Sequence, residues 1–195
     1  MKHIIISRMK FDDKELLKKY LVITKDILIP SLKTQTNKNF VWGLIINDED
    51  IEYIKNELDF NFLSFKNNNA FEKYAKENNI NIQTRHDIDD WMSIDYVDKI
   101  QEIYLENIDK CDSFLIQSQP IKIDYKTKKE TSLSKYTNRR TSMHLTLCQK
   151  NVINNIHSKR HNNMYQLVKK VITLSEGYTK WVIHGDNISY KNKLI

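Results

Sequence analysis

The sequence predicts an α/β fold, a mixed β-sheet flanked by helices. Two observations predict it. Short, β-branched apolar runs alternate with segments of helical periodicity through the first 110 residues. Paired strand-like runs with one helical segment then follow to the C-terminus, giving a small hairpin-plus-helix part. At 195 residues the chain suits a single domain, 1–195.

Residues 3–7 are a short apolar run of the kind found in buried strands. Asp12 and Asp13 can cap the helix that follows, which carries Leu16, Leu17, Tyr20, Leu21 and Thr24 at helical spacing and reaches about residue 29. Pro30 breaks or kinks it. Residues 40–46 form a second buried strand, 50–58 a short helix, 60–65 a third strand and 70–78 another helix. Residues 80–84 form a strand leading to Arg85 and an acidic cluster. Ile94, Val97, Ile100, Ile103, Tyr104 and Ile108 recur at three to four residues, predicting an amphipathic helix over 94–108. Beyond Cys111, residues 113–125 and 142–148 read as strands separated by a lysine-rich stretch. Residues 163–175 read as a helix with Gly177 as its C-cap, and 180–184 as a last strand.

Composition narrows the function. The chain has 31 Lys and Arg against 25 Asp and Glu, a net +6, which favours phosphate-bearing partners. The basic residues are spread out, with concentrations at 126–129 and at Arg139 and Arg140, and no interleaved aromatics form a stacking platform. Cys111 and Cys148 form no CxxC pair, which leaves zinc ribbons and dithiol redox sites unsupported. With only Gly43, Gly177 and Gly185, neither GxGxxG nor GxxxxGK[ST] can be written, and GxSxG and HExxH are also missing. A nucleotide would therefore be held through side chains and a metal. The N-terminal apolar run is too short for a signal peptide, and no run of roughly 20 apolar residues spans a bilayer, so a cytoplasmic, soluble protein is expected.

The segment 83–91 carries the chemistry. Asp87, Asp89 and Asp90 crowd three carboxylates beyond a short apolar strand, where a divalent cation would relieve their repulsion. Strand ends are also where α/β sheets bind ligands. Magnesium or manganese there could bridge to a nucleotide diphosphate and neutralise a departing phosphate. Arg85 could supply a bidentate phosphate contact. The alternative is a solvated turn whose Asp residues cap the following helix. Among six histidines, His3 reads as structural, and His144 as a strand residue facing either side. His157 and His161 stand at i, i+4, a spacing that can clip a metal on a helix, but with no carboxylate nearby in sequence they read as a polar helix or loop surface. His184 ends a strand before the turn residues Gly185, Asp186 and Asn187, a position that suits a site residue or a structural one equally.

Several segments together resemble the rhamnosyltransferase group of GT-A-type glycosyltransferases. They are Ile4-Ile5-Ile6-Ser7-Arg8, then Ile29-Pro30-Ser31-Leu32-Lys33-Thr34-Gln35-Thr36 with Phe40-Val41-Trp42. Thr84-Arg85-His86-Asp87-Ile88-Asp89-Asp90 and Trp181-Val182-Ile183-His184-Gly185-Asp186-Asn187-Ile188-Ser189 complete the set, in an order that covers nearly the whole chain. The resemblance implies a GT-A-like, Rossmann-type mixed sheet, with 1–110 binding a nucleotide-sugar donor and 111–195 forming the acceptor side. It implies that Arg8, Arg85 and Asp87 bind the donor, and that Asp89, Asp90 and His184 hold Mn2+ or Mg2+. The acceptor would be a saccharide, a protein or a modified nucleotide. An inverting transfer needs a base; Asp124 and Asp186 are the leading candidates, with Asp112 and Glu130 behind them. Two other readings follow from the short chain and its charge: a GT-A-like protein that binds without turnover, and a basic nucleic-acid-binding protein.

Overall fold

The computed structural model describes residues 1–132, 144–157 and 161–184. Seven strands form the main sheet in the order β10-β6-β9-β4-β1-β2-β3. They are β1 (His3–Arg8), β2 (Val41–Ile45), β3 (Leu63–Phe65), β4 (Ile82–Arg85), β6 (Ser113–Ser118), β9 (Leu145–Gln149) and β10 (Lys170–Leu174). β1 lies parallel between β2 and β4, and β10 runs parallel to β6. β9 alone is reversed, pairing antiparallel with both β4 and β6. A second sheet has the order β5-β11-β7-β8, from β5 (Trp91–Met92), β7 (Ile121–Asp124), β8 (Glu130–Ser132) and β11 (Thr179–Ile183).

The apolar run of β1 is continuous because both faces of the sheet are covered. Ile5 packs with Trp42, Leu44, Ile82 and Phe114 under helices α1 (Lys14–Asp26) and α5 (Tyr96–Asn107). Ile4 and Ile6 point the other way, into a cluster with Phe71, Ala75, Leu115 and Leu147 built on α4 (Asn68–Glu77). Gly43 in β2 makes this packing possible, since a Cβ there would lie 2.9 Å from both Ile6 Cδ1 and Phe65 Cε2. Among the described residues no helix is long and apolar enough to cross a membrane.

The expected elements recur with informative differences. Asp13 caps α1, accepting hydrogen bonds from the backbone N–H of Glu15 and Leu16. α1 stops at Ile27, and Pro30 sits inside the first turn of a separate helix, α2 (Leu28–Lys33), where its missing N–H has no intrahelical duty. The helix expected over 50–58 is α3 (Ile51–Glu57), entered through a 3-10 turn at Asp48–Asp50. The strand expected over 60–65 is confined to Leu63–Phe65, because Phe60 and Phe62 turn back onto Trp42. α5 begins at Tyr96 rather than 94, leaving Ile94 54% exposed. The run 113–125 divides into β6 and β7 around Pro120, which cannot donate to a ladder.

The helix expected over 163–175 is corrected. A 3-10 segment, His161–Leu167, gives way to edge strand β10, whose consecutive Val171, Ile172 and Thr173 favour the extended backbone. Gly177 is accordingly not a helix C-cap; it takes φ +104° between β10 and β11. β6, β9 and β10 all come from beyond residue 110 and complete the main sheet.

Candidate functional site

Six of the seven strands end at one edge, and the reversed β9 begins there. Arg8 closes β1 and is exposed, and Arg85 closes the adjacent β4 and is half-buried. Neither arginine forms an ion pair among the described residues. Burial pulls the Arg85 guanidinium below its ordinary range, Asp87 partly restores it, and the neighbouring charge of Arg8 lowers it again. Two cations on adjacent strand ends form a place for a multiply charged anion.

The chain then turns through the acidic cluster. The His86 N–H donates to Ile6 O at 3.1 Å, extending the β1 ladder, and Ile88 buries itself in the core at 2% exposure. The Asp90 N–H closes the turn on Asp87 O at 3.3 Å. This turn sends successive carboxylates in different directions. Asp90 points inward: Oδ1 accepts from the Val182 N–H at 2.9 Å, and Oδ2 lies 3.3 Å from His144 Nε2. It ties the loop to β11 of one sheet and to the start of β9 in the other. Burial, then the charges of Asp89 and Asp87, raise its pKa well above the carboxylate range.

Asp89 points to the other side, with Oδ2 3.0 Å from His184 Nε2. The His184 ring meets Tyr20 of α1 edge to face at 5.4 Å, and Tyr20 stacks on Phe11 at 4.8 Å. Asp87, half-buried beside Arg85, is lifted by burial to about 6. His86 is fully buried, with Nδ1 2.9 Å from Asp87 O; burial depresses it to about 4, so it is neutral near pH 7.

The residues can be tested against a divalent cation. The 3.0 Å between Asp89 Oδ2 and His184 Nε2 matches neighbouring corners of an octahedron with bonds of about 2.1 Å. Those two residues fit as a pair of ligands. Asp90 is turned away from them, with Oδ1 held by the Val182 N–H and Oδ2 facing His144. Among the described residues no group of three or more His, Cys, Asp and Glu side chains is placed to hold a metal.

The base candidates separate too. Asp124 Oδ1 accepts from the N–H groups of Lys126 and Thr127 and from the Thr127 hydroxyl, and these contacts hold it below the usual carboxylate range. It is a turn residue and a poor proton acceptor. Asp112 precedes β6, at the edge of the sheet away from the site. Glu130 pairs with Lys180 at 2.5 Å on the second sheet. Asp186 lies outside the described residues.

Sequence reasoning passed over His86 and left His144 undirected; the two rings lie 4.7 Å apart beneath the acidic turn. It also left the segment 30–36 without a physical role. Gln35 supplies one: its Oε1 accepts from the Val97 N–H at 3.0 Å in the first turn of α5, and its Nε2 donates to Ser93 O and Ser31 O. Thr36 adds a backbone bond to Ile94 O at 2.8 Å and a hydroxyl contact to Asp98. This segment therefore fixes the exit of the acidic loop, as the His184 strand fixes its far side.

No protein-family model and no curated protein sequence matches the chain. Solved structures do. TarS 1–349 of S. aureus in complex with UDP-GlcNAc aligns with a TM-score of 0.54 at 13% identity, over 96% of this chain and 60% of that one. The same protein in complex with UDP aligns with a TM-score of 0.52 at 12% identity, over 94% and 61%. A cytidylyltransferase from Leptospira borgpetersenii serovar Hardjo-bovis gives 0.52 at 14% identity, over 89% and 75%. The chain thus spans about three fifths of the TarS structures it resembles. These similarities establish the fold as a GT-A-like, Rossmann-type mixed sheet flanked by helices.

Proposed function

We propose that the protein is a glycosyltransferase that moves a sugar from a nucleotide-diphospho-sugar to an acceptor. The observation that carries this reading is the pair of arginines, Arg8 and Arg85, at the carboxyl ends of adjacent strands of a GT-A-like sheet, followed directly by the turn in which Asp89 stands 3.0 Å from His184. The similar TarS structures hold UDP or UDP-GlcNAc, which supports the donor class.

In this reading Arg8 and Arg85 bind the diphosphate, and their paired charge steadies it as it departs. Asp87 accepts from ribose hydroxyls. Asp89 and His184 hold Mn2+ or Mg2+, which supplies further neutralisation of the leaving diphosphate when bound. Asp90 and His144 keep the acidic turn rigid, so that Asp89 and Asp87 do not reorganise when charge develops. Residues beyond 110 provide the acceptor side, and Asp186 remains a base candidate from the sequence.

Isothermal titration with UDP, CDP and dTDP, each with manganese, tests donor binding. Donor breakdown is then followed with UDP-GlcNAc and dTDP-rhamnose, the second arm probing the deoxyhexose that the family resemblance implies. Binding of a diphosphate that is weakened in Arg85→Gln and Asp89→Ala is expected. Failure of every nucleotide to bind would overturn the reading.

The cytidylyltransferase similarity favours one alternative, nucleotidyl transfer. The two chemistries release different products. Sugar transfer frees a nucleoside diphosphate, and nucleotidyl transfer from a triphosphate frees pyrophosphate. Pyrophosphate release from CTP with a sugar phosphate, without nucleoside diphosphate release from a nucleotide-sugar, would decide for the alternative.

A further inference from the structure

The second sheet carries a cavity of about 210 Å3 that the donor site does not use. It opens where the C-terminal end of α1 meets β5, β7 and β11. Asp26, Trp91, Tyr125, Lys128, Lys180 and Val182 form most of its wall. Ile23 and Ile27 of α1 pack on Val182, Trp91, Ile123 and Tyr125 beside it, so the walls rest on a small apolar cluster of their own.

Its chemistry is mixed in a particular way. Tyr125 donates its hydroxyl to Asp26 Oδ2 at 2.7 Å, leaving the rest of that carboxylate to accept. The ammonium of Lys128 stands 4.3 Å from the centre of the Tyr125 ring, and that of Lys180 stands 4.5 Å from the centre of Trp91. Aromatic carbon, an acceptor oxygen and two donor groups therefore share one small volume. A sugar ring presents the complement: C–H surface with hydroxyls that each donate and accept. The volume is below the roughly 300–1,000 Å3 typical of drug-sized ligands, which admits one ring unit rather than a nucleotide.

Lys180, Val182 and His184 alternate along β11 and its end, and so share a face. Lys180 lies opposite Trp91 in the β5–β11 ladder, and Val182 lies opposite Ile123 in β7. His184, on the same face, reaches Asp89. At a rise of about 3.3 Å per residue the cavity runs from roughly 7 Å (Val182) to roughly 13 Å (Lys180) from His184 along the strand. That distance is too long for the sugar that reacts, and it suits a unit further along an acceptor chain.

We propose that this cavity is a subsite for a non-reacting saccharide unit of an oligomeric acceptor, so that the acceptor is a glycan chain of more than one unit. The inference rests on the glycosyltransferase reading for its role and on the cavity alone for its ligand. Holding a remote unit would let binding energy position the reacting one.

The test uses the full chain and proton NMR. Glucose, galactose, N-acetylglucosamine and the β-1,4-linked dimer of N-acetylglucosamine are titrated to tens of millimolar, and the indole N–H resonance of Trp91, assigned with Trp91→Phe, is followed. At least one saccharide is expected to shift that resonance. Asp26→Asn, which replaces one acceptor oxygen by an amide, and Tyr125→Phe, which removes the hydroxyl, should each weaken that binding about tenfold. Affinity for UDP with manganese should be unchanged in both variants. If UDP binds and no saccharide moves Trp91, the subsite is overturned while the donor reading stands. If a saccharide binds at Trp91 and no nucleotide binds anywhere, the donor reading falls while the sugar site remains. Saccharide binding that survives both substitutions at full strength also overturns the assignment.

Discussion

Asp89 and Asp90 are identical in chemistry and adjacent in sequence, and each faces a histidine, at 3.0 Å and 3.3 Å. The Asp90 pair is sealed, with side-chain exposures of 1% for Asp90 and 0% for His144, and it is bonded to the backbone of β11. The Asp89 pair reaches the site edge, where Asp89 keeps 12% and where Arg8 and Arg85 end their strands. One acidic turn thus serves two ends. One carboxylate is consumed in holding two sheets together, and that rigidity fixes the direction of the other.

The largest effect should come from breaking the sealed pair. Asp90→Ala leaves the buried Val182 N–H without its acceptor and empties the space facing His144, at a cost of about 1–3 kcal/mol of folding stability. Asp90→Asn keeps an oxygen for Val182 and should lose less than half as much. Urea denaturation of the three proteins measures both. A loss under about 1 kcal/mol for the alanine variant would mean that the turn is held by something else.

The outer pair should respond in function rather than stability. Asp89→Ala is expected to cost less folding stability than Asp90→Ala, while lowering affinity for manganese and UDP together by about 10–100-fold. If the ranking reverses, with Asp89 the more destabilising and Asp90 the more damaging to binding, the division of labour drawn from the geometry is wrong.

His3 is also a buried histidine, but no carboxylate pairs with it among the described residues. Its Nε2 lies 2.8 Å from Thr84 Oγ1, which lies 2.8 Å from Thr146 Oγ1, and the buried Tyr96 hydroxyl joins the same threonines. Burial lowers its pKa from 6.5 to about 3. The folded state therefore refuses a proton that the unfolded chain accepts, so this contribution is complete above pH 6.5 and is lost as pH falls toward 3. Between those limits the wild type should lose stability more steeply than His3→Gln, by about 1.4 kcal/mol per pH unit for the one proton. Parallel stability profiles over pH 4–6.5 would show that hydroxyl partners can hold a charged imidazole there.

Much of this architecture is written locally. β1 and β2 are legible because a strand covered on both faces needs an unbroken apolar run, and residues 4–6 and 42–45 supply one. The acidic turn is legible as a site because three Asp follow a strand. The roles of Asp89 and Asp90 are not, because they depend on a turn bond to Asp87 and on Val182, 92 residues away in sequence. β10 was obscured because Met164, Leu167, Val168 and Val171 repeat with helical spacing. Only the pairing with β6 makes Val171–Thr173 a strand. Gln35 illustrates the same limit: its value as a cap for α5 exists only after α2 and α5 meet.

The smallest effect should come from the ion pair of Lys25 and Glu57, which links the last turns of α1 and α3. In geometry alone it is as close a pair as either His–Asp contact. The side-chain exposures of Lys25 and Glu57, 38% and 39%, weaken it, because water and salt screen the attraction and two long side chains must be ordered to keep it. Glu57→Gln should therefore cost no more than about 0.2–1 kcal/mol, less at high salt, and should leave UDP binding unchanged. α1 also carries Tyr20, which packs on His184. A loss of donor affinity in Glu57→Gln would then mean that a surface charge sets the seat of α1 against the site, and that the boundary between the sealed and open regions lies further out than the two His–Asp pairs.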